Sequence, residues 1–387
     1  MNALTTLNLS KNRNLTHLPH SLSNLRSLML NECSKLKYIP PLGELQSLLR
    51  WEISGCSIEV PPEGSEKLIN LKWLDLSNHV NLELVPESFL SKLINIQYLD
   101  LCGCSGVKIE DIKGMTMLEC FAGTFIDQNN LNRYAQKTLA SSCGPQTYFI
   151  HYEDRNHKGH WEPFWYREPL SKFKFRTMCI KNCDEKLSYI LPRDFANLFV
   201  RDNGQWVCLC PLSSNGPSPL KEIDIHLCTK LKNLLCLSCS LCSNIQSLQS
   251  LRLSHLESLT AICKEDIANL VQASPPGSMF THLKDLYISK CHGIKTLLTL
   301  SLVPQLQNPE SMDVSFCNSM EQIFAVTYDD DDDSIKITLP KLTVLVLRGL
   351  PQLKTVCKEI LVCKSGFELD ITDSPNLCEP RIEYVAL

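Results

Sequence analysis

The sequence predicts an α/β solenoid, in which short strands stack into a parallel β-sheet on a concave face, with irregular or short helical segments behind it. Three observations predict it. First, Leu4-x-x-Leu7-x-Leu9-x-x-Asn12-x-x-Leu15-x-x-Leu18-Pro19 recurs as Leu25-x-x-Leu28-x-Leu30-x-x-Cys33-x-x-Leu36-x-x-Ile39-Pro40, 21 residues on from Leu4 to Leu25. That period falls within the roughly 20 to 29 residues of leucine-rich repeats. Second, the last two leucines of L-x-x-L-x-L alternate with period two, so they point inward from a strand while the residue between them points out. Third, seven of the 20 cysteines, Cys33, Cys56, Cys104, Cys183, Cys228, Cys291 and Cys317, occupy the turn position three residues later. There a small buried thiol with a weak donor can replace asparagine, so these cysteines are expected to be structural.

The phase continues through Leu48/Trp51/Ile53/Cys56, Leu71/Leu74/Leu76/Leu82 and Ile96/Leu99/Leu101/Cys104, and weakens at Leu118/Phe121. It resumes at Phe175/Met178/Ile180/Cys183 and Leu220/Ile223/Ile225/Cys228. From Leu248/Leu251/Leu253 it runs on through Leu283/Leu286/Ile288, Met312/Val314/Cys317, Leu342/Leu345/Leu347 and Leu369/Ile371. Twelve clear repeats and one weak one result, about 12–13 in all. No repeat buries its own leucines, so the core forms only by stacking, each large apolar side chain contributing roughly 1.5 to 3 kcal/mol.

The organisation expected is N-terminal repeats over 1–123, an aromatic and histidine-rich insertion over 124–172, and C-terminal repeats over 173–387 with loops near 208–219 and 322–338. The first part of the insertion has helical spacing in Phe125, Leu131, Tyr134 and Leu139. Its second part offers Trp161, Phe164 and Trp165 as packing or contact anchors. Long insertions in repeat proteins loop out on one face and often carry binding.

A net charge of −4 with 21% charged residues does not suit bulk nucleic-acid binding. No apolar run is long enough to span a membrane and no leader pattern opens the chain, so a cytoplasmic location is expected. Cysteines at repeat turns fit a reducing compartment.

Chemistry-bearing patterns are weak. Cys236-x-x-Cys239-x-x-Cys242 lacks a fourth ligand, and His151, His157 and His160 lack a helical H-x3-H frame. The run Asp329 to Asp333 lacks the interleaved spacing of a calcium loop. No GxxxxGK[ST] or GxSxG motif occurs, so no enzyme, no metal and no cofactor are expected in this chain.

The outward strand residues are more informative. They read Asn8, Met29, Glu52, Asp75, Asp100, Cys179, Asp224, Arg252, Tyr287, Asp313, Val346 and Asp370, six acidic and one basic among twelve. Glu52, Asp75, Asp100, Asp224, Arg252, Tyr287, Asp313 and Asp370 are the candidate protein-binding residues. An acidic stripe favours a partner with a basic surface, through contacts that added salt weakens.

The stretches MNALTTLNLSKNRNLTHLP, LPKLTVLVLRGLPQLKTVC and FELDITDSPNLCEP resemble the leucine-rich-repeat region of plant intracellular nucleotide-binding immune receptors, the coiled-coil class of disease resistance proteins. The copies end in L-x-x-L-P and not in the L-x-G-x-I-P of plant cell-surface receptors. The resemblance implies a sensor for a pathogen effector or a guarded host protein, held against an intramolecular nucleotide-binding domain. That ADP/ATP switch would lie upstream, since no phosphate loop is in this chain. Met1 enters repeat one without a polar cap, so the chain is expected to be a fragment or part of a larger protein. A general interaction scaffold, such as a ubiquitin-ligase substrate adaptor, is the alternative.

Overall fold

The computed structural model describes residues 4–385 except 20, 21, 23, 80–86, 105–106, 141–143, 154–175, 184–187, 193, 215–218, 236–240, 242–244, 264–279, 300–301, 304–305, 326–335 and 359. The chain forms two compact units, Met1–Cys179 and Ile180–Leu387.

In the first unit the strands are β1 (Thr6–Asn8), β2 (Ser27–Met29), β3 (Arg50–Glu52), β4 (Trp73–Asp75), β5 (Tyr98–Leu101), β6 (Cys120–Phe125) and β7 (Thr147–Glu153). Each pairs in parallel with the next, one per coil. The inward residues fall in one register, Leu7, Leu28, Trp51, Leu74, Leu99, Phe121 and Tyr148. From Leu28 onward these are buried, while Leu7, with a strand on one side only, is half-buried. The return segments of this unit carry the short helices α1 (Glu87–Leu90) and α2 (Ile109–Ile112) and the longer α3 (Gln128–Ala140).

β8 (Thr177–Lys181) lies at the boundary. The second unit follows with β9 (Tyr189–Leu191), β10 (Asn197–Arg201), β11 (Leu212–Ser214), β12 (Glu222–His226), β13 (Asn233–Leu235), β14 (Ser250–Ser254), β15 (Ala261–Cys263) and β16 (Asp285–Ser289). Then come β17 (Thr296–Thr299), β18 (Ser311–Ser315), β19 (Gln322–Ala325), β20 (Lys336–Leu339), β21 (Val344–Arg348), β22 (Ile360–Lys364), β23 (Glu368–Thr372) and β24 (Ile382–Val385). β10, β12, β14, β16, β18, β21 and β23 pair in parallel in that order. A second set of parallel pairs, β9 with β11, β13 with β15, β17 with β19 and β20 with β22 and β24, replaces the helices of the first unit.

The strands β1 to β5, β10, β12, β14, β16, β18, β21 and β23 are ended by the same backbone device. Three residues past the outward position the chain turns left-handed, at Lys11, Glu32, Gly55, Asn78 and Gly103 in the first unit and at Asp202, Leu227, His255, Lys290, Phe316, Gly349 and Asp373 in the second. Such a φ disfavours an L side chain. It persists because it aims the backbone N–H at the next coil: Lys11 donates to the Asn31 carbonyl at 2.7 Å, Glu32 to Ser54 at 2.7 Å and Lys290 to Ser315 at 3.0 Å.

The next residue is the one the sequence marks as cysteine. Cys33 donates its thiol to the Leu9 carbonyl at 3.1 Å, Cys56 to Leu30 at 3.0 Å and Cys104 to Leu76 at 3.0 Å, so the thiols tie each coil to the one before. All seven cysteines of this position are buried. Burial pushes the Cys56 and Cys228 thiols up to about 12 and the Cys104 thiol up further. A thiol held protonated is a poor nucleophile. We expect iodoacetamide at neutral pH to leave Cys56, Cys104 and Cys228 unmodified and to label the exposed Cys378, as read by peptide mass spectrometry. Prompt labelling of the three in the folded protein would contradict their structural role.

The structure differs from the sequence reading in three places. The segment leaving the repeat phase at Thr124 runs from β6 through α3 into β7, which pairs with β6 in register, Phe121 opposite Tyr148. A 13-residue helix, with Leu131 and Tyr134 buried, fills the return path, which is why the leucine spacing lapses there. Trp161, Phe164, Trp165, His157 and His160 lie outside the described residues, as do Asp329 to Asp333 and Cys236, Cys239 and most of the segment around them. The stretches 208–219 and 322–338, read as loops, contain β11, β19 and β20. An extra coil, with Phe195, Leu198 and Val200 buried and Asn203 at the turn, precedes β11.

Candidate functional site

Successive outward residues of a parallel sheet stand about 4.8 Å apart, so residue types that repeat form continuous rows. In the first unit one row reads Asn8, Met29, Glu52, Asp75, Asp100, Ala122 and Phe149. The row two residues earlier on the same face holds Arg50, Trp73 and Tyr98 on β3, β4 and β5.

These two rows interact. Arg50 pairs with Glu52 at 2.5 Å and lays its guanidinium 4.5 Å from the centre of the Trp73 ring. Trp73 stacks on Tyr98 with centroids 3.6 Å apart and planes 4° apart. Asn31 donates to the other Glu52 oxygen at 2.7 Å. Glu52 is thereby fully partnered although buried.

Asp75 and Asp100 form no ion pair among the described residues, and the Arg50 charge only partly offsets the burial of Asp75. Asp75 accepts from the Ser77 amide at 2.9 Å and Asp100 from the Cys102 amide at 3.0 Å. Burial raises both carboxyls above the usual aspartate range; the charge of Asp75 raises Asp100 further, and Glu52 raises Asp75. Burial and the two aspartates push the Tyr98 hydroxyl up as well. The Trp73 indole N–H is buried without a hydrogen-bond partner.

The folded-state pKa of Asp100 lies above its unfolded value, so the folded chain binds the extra proton. Stability is therefore present at low pH and lost as pH rises from the ordinary aspartate range through the raised value. Asp100→Asn keeps the acceptor for Cys102 and removes the charge. We expect it to be more stable than the parent at pH 8 by on the order of 1 kcal/mol, with the difference vanishing near pH 4. Urea unfolding at both pH values reads this; a less stable variant at pH 8 would contradict the assignment.

In the second unit the row reads Phe199, Asp224, Arg252, Tyr287, Asp313, Val346 and Asp370. Arg201 pairs with Asp224 at 2.8 Å and Arg348 with Asp370 at 2.5 Å. Arg348 holds Asp370 low, whereas burial raises Asp224 and Asp313. One Asp313 oxygen is buried without a partner. Arg252 is exposed and Tyr287 is 38% exposed, an arginine and an aromatic side by side, the residue types that dominate protein interfaces.

All eight candidate residues thus stand on the outward strand face, three in the first unit and five in the second. The acidic stripe of six residues is narrower than the sequence suggested, because Arg50, Arg201 and Arg348 neutralise Glu52, Asp224 and Asp370. Asp75, Asp100 and Asp313 remain. The arginines and the Trp73–Tyr98 stack escaped a reading that took one position per strand, although period two places the flanking residues on the same face. Among the described residues no group of three or more His, Cys, Asp or Glu side chains is placed to hold a metal ion. No helix there is long and apolar enough to cross a membrane.

Residues 267–368 match the family described as plant disease resistance protein RPS2-like, leucine-rich repeats. The putative disease resistance protein At4g19050 of Arabidopsis thaliana is 25% identical over 360 residues, covering 90% of this chain and 27% of that protein. The probable disease resistance protein At4g27220 of Arabidopsis thaliana is 30% identical over 102 residues, 26% of this chain and 11% of that protein. The chain therefore spans only about a quarter of the length of the first relative and about a tenth of the second. A leucine-rich repeat protein from Bacteroides ovatus of solved structure aligns over 99% of this chain and 88% of that one at 12% identity. The TM-score is 0.21.

Proposed function

We propose, from the premise that this chain is a leucine-rich-repeat region of a plant disease resistance protein, that it is the ligand-sensing and autoinhibitory part of an intracellular immune receptor. Its strand face recognises a pathogen effector or a guarded host protein. The observation that carries this reading is the pair Asp75 and Asp100, two carboxyls without an ion pair among the described residues, beside the Arg50–Trp73–Tyr98 stack. A lysine or arginine from a partner placed over the half-buried Asp75 supplies charge to the pair, and the accessible part of Trp73 supplies contact area at low entropic cost.

Such a surface works by difference in binding. A nucleotide-binding switch domain resting on the N-terminal coils keeps the receptor inactive, and a ligand that binds the strand face better when that domain is released shifts the balance. No covalent chemistry is asked of this chain, which acts in the cytoplasm as a binding region.

The test is affinity capture by the immobilised chain from extracts of challenged plant tissue, at rising salt. A specifically captured protein should weaken as ionic strength rises and disappear with Trp73→Ala, while Lys354→Glu, on the opposite side of the second unit, leaves capture intact. Capture indifferent to salt and to Trp73 would refute the strand-face reading.

A further inference from the structure

A second surface of the first unit differs in chemistry from the strand face. Beside the starts of β2 to β5 runs a groove of about 580 Å³. One row of its lining, Arg26, Lys72 and Gln97, consists of the residues that precede these strands. They are linked coil to coil through backbone bonds from Leu49 to Arg26, from Lys72 to Leu49 and from Gln97 to Lys72. A second row holds Gln46, Asn70 and Asn95.

No carboxylate lines this groove. Arg26 and Lys72 are exposed and form no ion pair among the described residues. Asn70 spends one amide hydrogen on the Gln46 carbonyl at 2.9 Å and Asn95 spends one on the Ile69 carbonyl at 3.0 Å. Each side-chain amide retains a second donor and an acceptor. Next to them stand three exposed apolar side chains, Ile69 at 52%, Ile94 at 55% and Met117 at 54%.

We propose that this groove docks an extended acidic peptide segment of a partner protein, with acidic and apolar residues alternating along it. Arg26 and Lys72 lie two strand spacings apart, about 9 to 10 Å, and alternate side chains of an extended peptide recur about every 6.6 Å on one side, within reach of two flexible cations. The carboxamides pair with the peptide backbone. The intervening residues, which point the other way, meet the ridge of Ile69, Ile94 and Met117. The charge preference is opposite to that of Asp75 and Asp100, so the two surfaces select different segments, and this inference stands apart from the strand-face reading.

The experiment measures fluorescence anisotropy of a labelled peptide of alternating glutamate and valine with the full chain, against the same peptide with lysine for glutamate. The acidic peptide should bind, and more weakly at higher ionic strength. Arg26→Glu with Lys72→Glu should reduce its affinity roughly ten-fold or more. Ile94→Ser should reduce it too, with unchanged thermal unfolding in each case, and Trp73→Ala should leave it intact. Three results would each overturn the proposal: no binding of the acidic peptide, equal binding of the lysine version, or affinity unmoved by the double charge reversal.

Discussion

Trp51→Ala lowers the free energy of unfolding by about 3 to 5 kcal/mol, the range for truncating a fully buried large side chain. Trp51 is wholly buried at the inward position of β3, in register with Leu28 on one side and Leu74 on the other. Its ring meets Phe89 edge-on with centroids 6.3 Å apart. Alanine leaves a cavity between two coils that cannot close without breaking the backbone bonds of β2, β3 and β4. In a stack where each coil touches only its neighbours the damage is local. Hydrogen exchange should accelerate across these strands and stay unchanged in 180–387, and denaturant unfolding should report the loss. A cost below about 1 kcal/mol, or acceleration spread evenly over both units, would contradict the account of the core. Trp51→Phe, which keeps an aromatic ring in place, should cost less.

Trp73→Ala, one coil on, is expected to behave in the opposite way. Trp73 sits at an outward position and is only half-buried, so its loss removes little core. It does remove the ring on which Arg50 and Tyr98 both stack. If the strand face binds a partner, this tryptophan is its anchor, and truncation should weaken binding by about 2 to 4 kcal/mol, roughly 30- to 1000-fold. Titration of the captured partner against both variants separates the two tryptophans. Trp51→Ala should mainly lose stability, Trp73→Ala mainly affinity. An equal affinity for Trp73→Ala and parent would remove the stack from the interface.

The strands were legible in the sequence because their leucines must alternate and must recur once per coil. The cysteine ladder was legible for the same reason. The coil of Phe195, Leu198 and Val200 was not, since an aromatic and a β-branched residue stand at two of the three positions where leucine is expected. The second set of parallel strands in 180–387 was missed because segments such as Asn233–Leu235 are too short to show a period. The left-handed turn that closes most of these strands leaves no single residue signature. It is occupied by Lys11, Glu32, Leu227 and Phe316 as readily as by Gly55, because the hydrogen bond to the next coil, and not the side chain, holds it.

The candidate site was half legible. Asp75 and Asp100 were named from their position, and their burial and mutual repulsion appeared only once β4 and β5 were seen side by side. Arg50, Arg201 and Arg348 alter the electrostatics because each pairs across or along the strand with an acidic residue of the stripe.

The most direct test of the central claim, that the outward face of β3 to β5 is where a partner is recognised, is hydroxyl-radical footprinting of the chain alone and with its captured partner. The account predicts that oxidation of Trp73 falls sharply in the complex while Trp206, buried in the second unit, is unaffected. Unchanged oxidation of Trp73, with protection appearing on other surfaces, would contradict it.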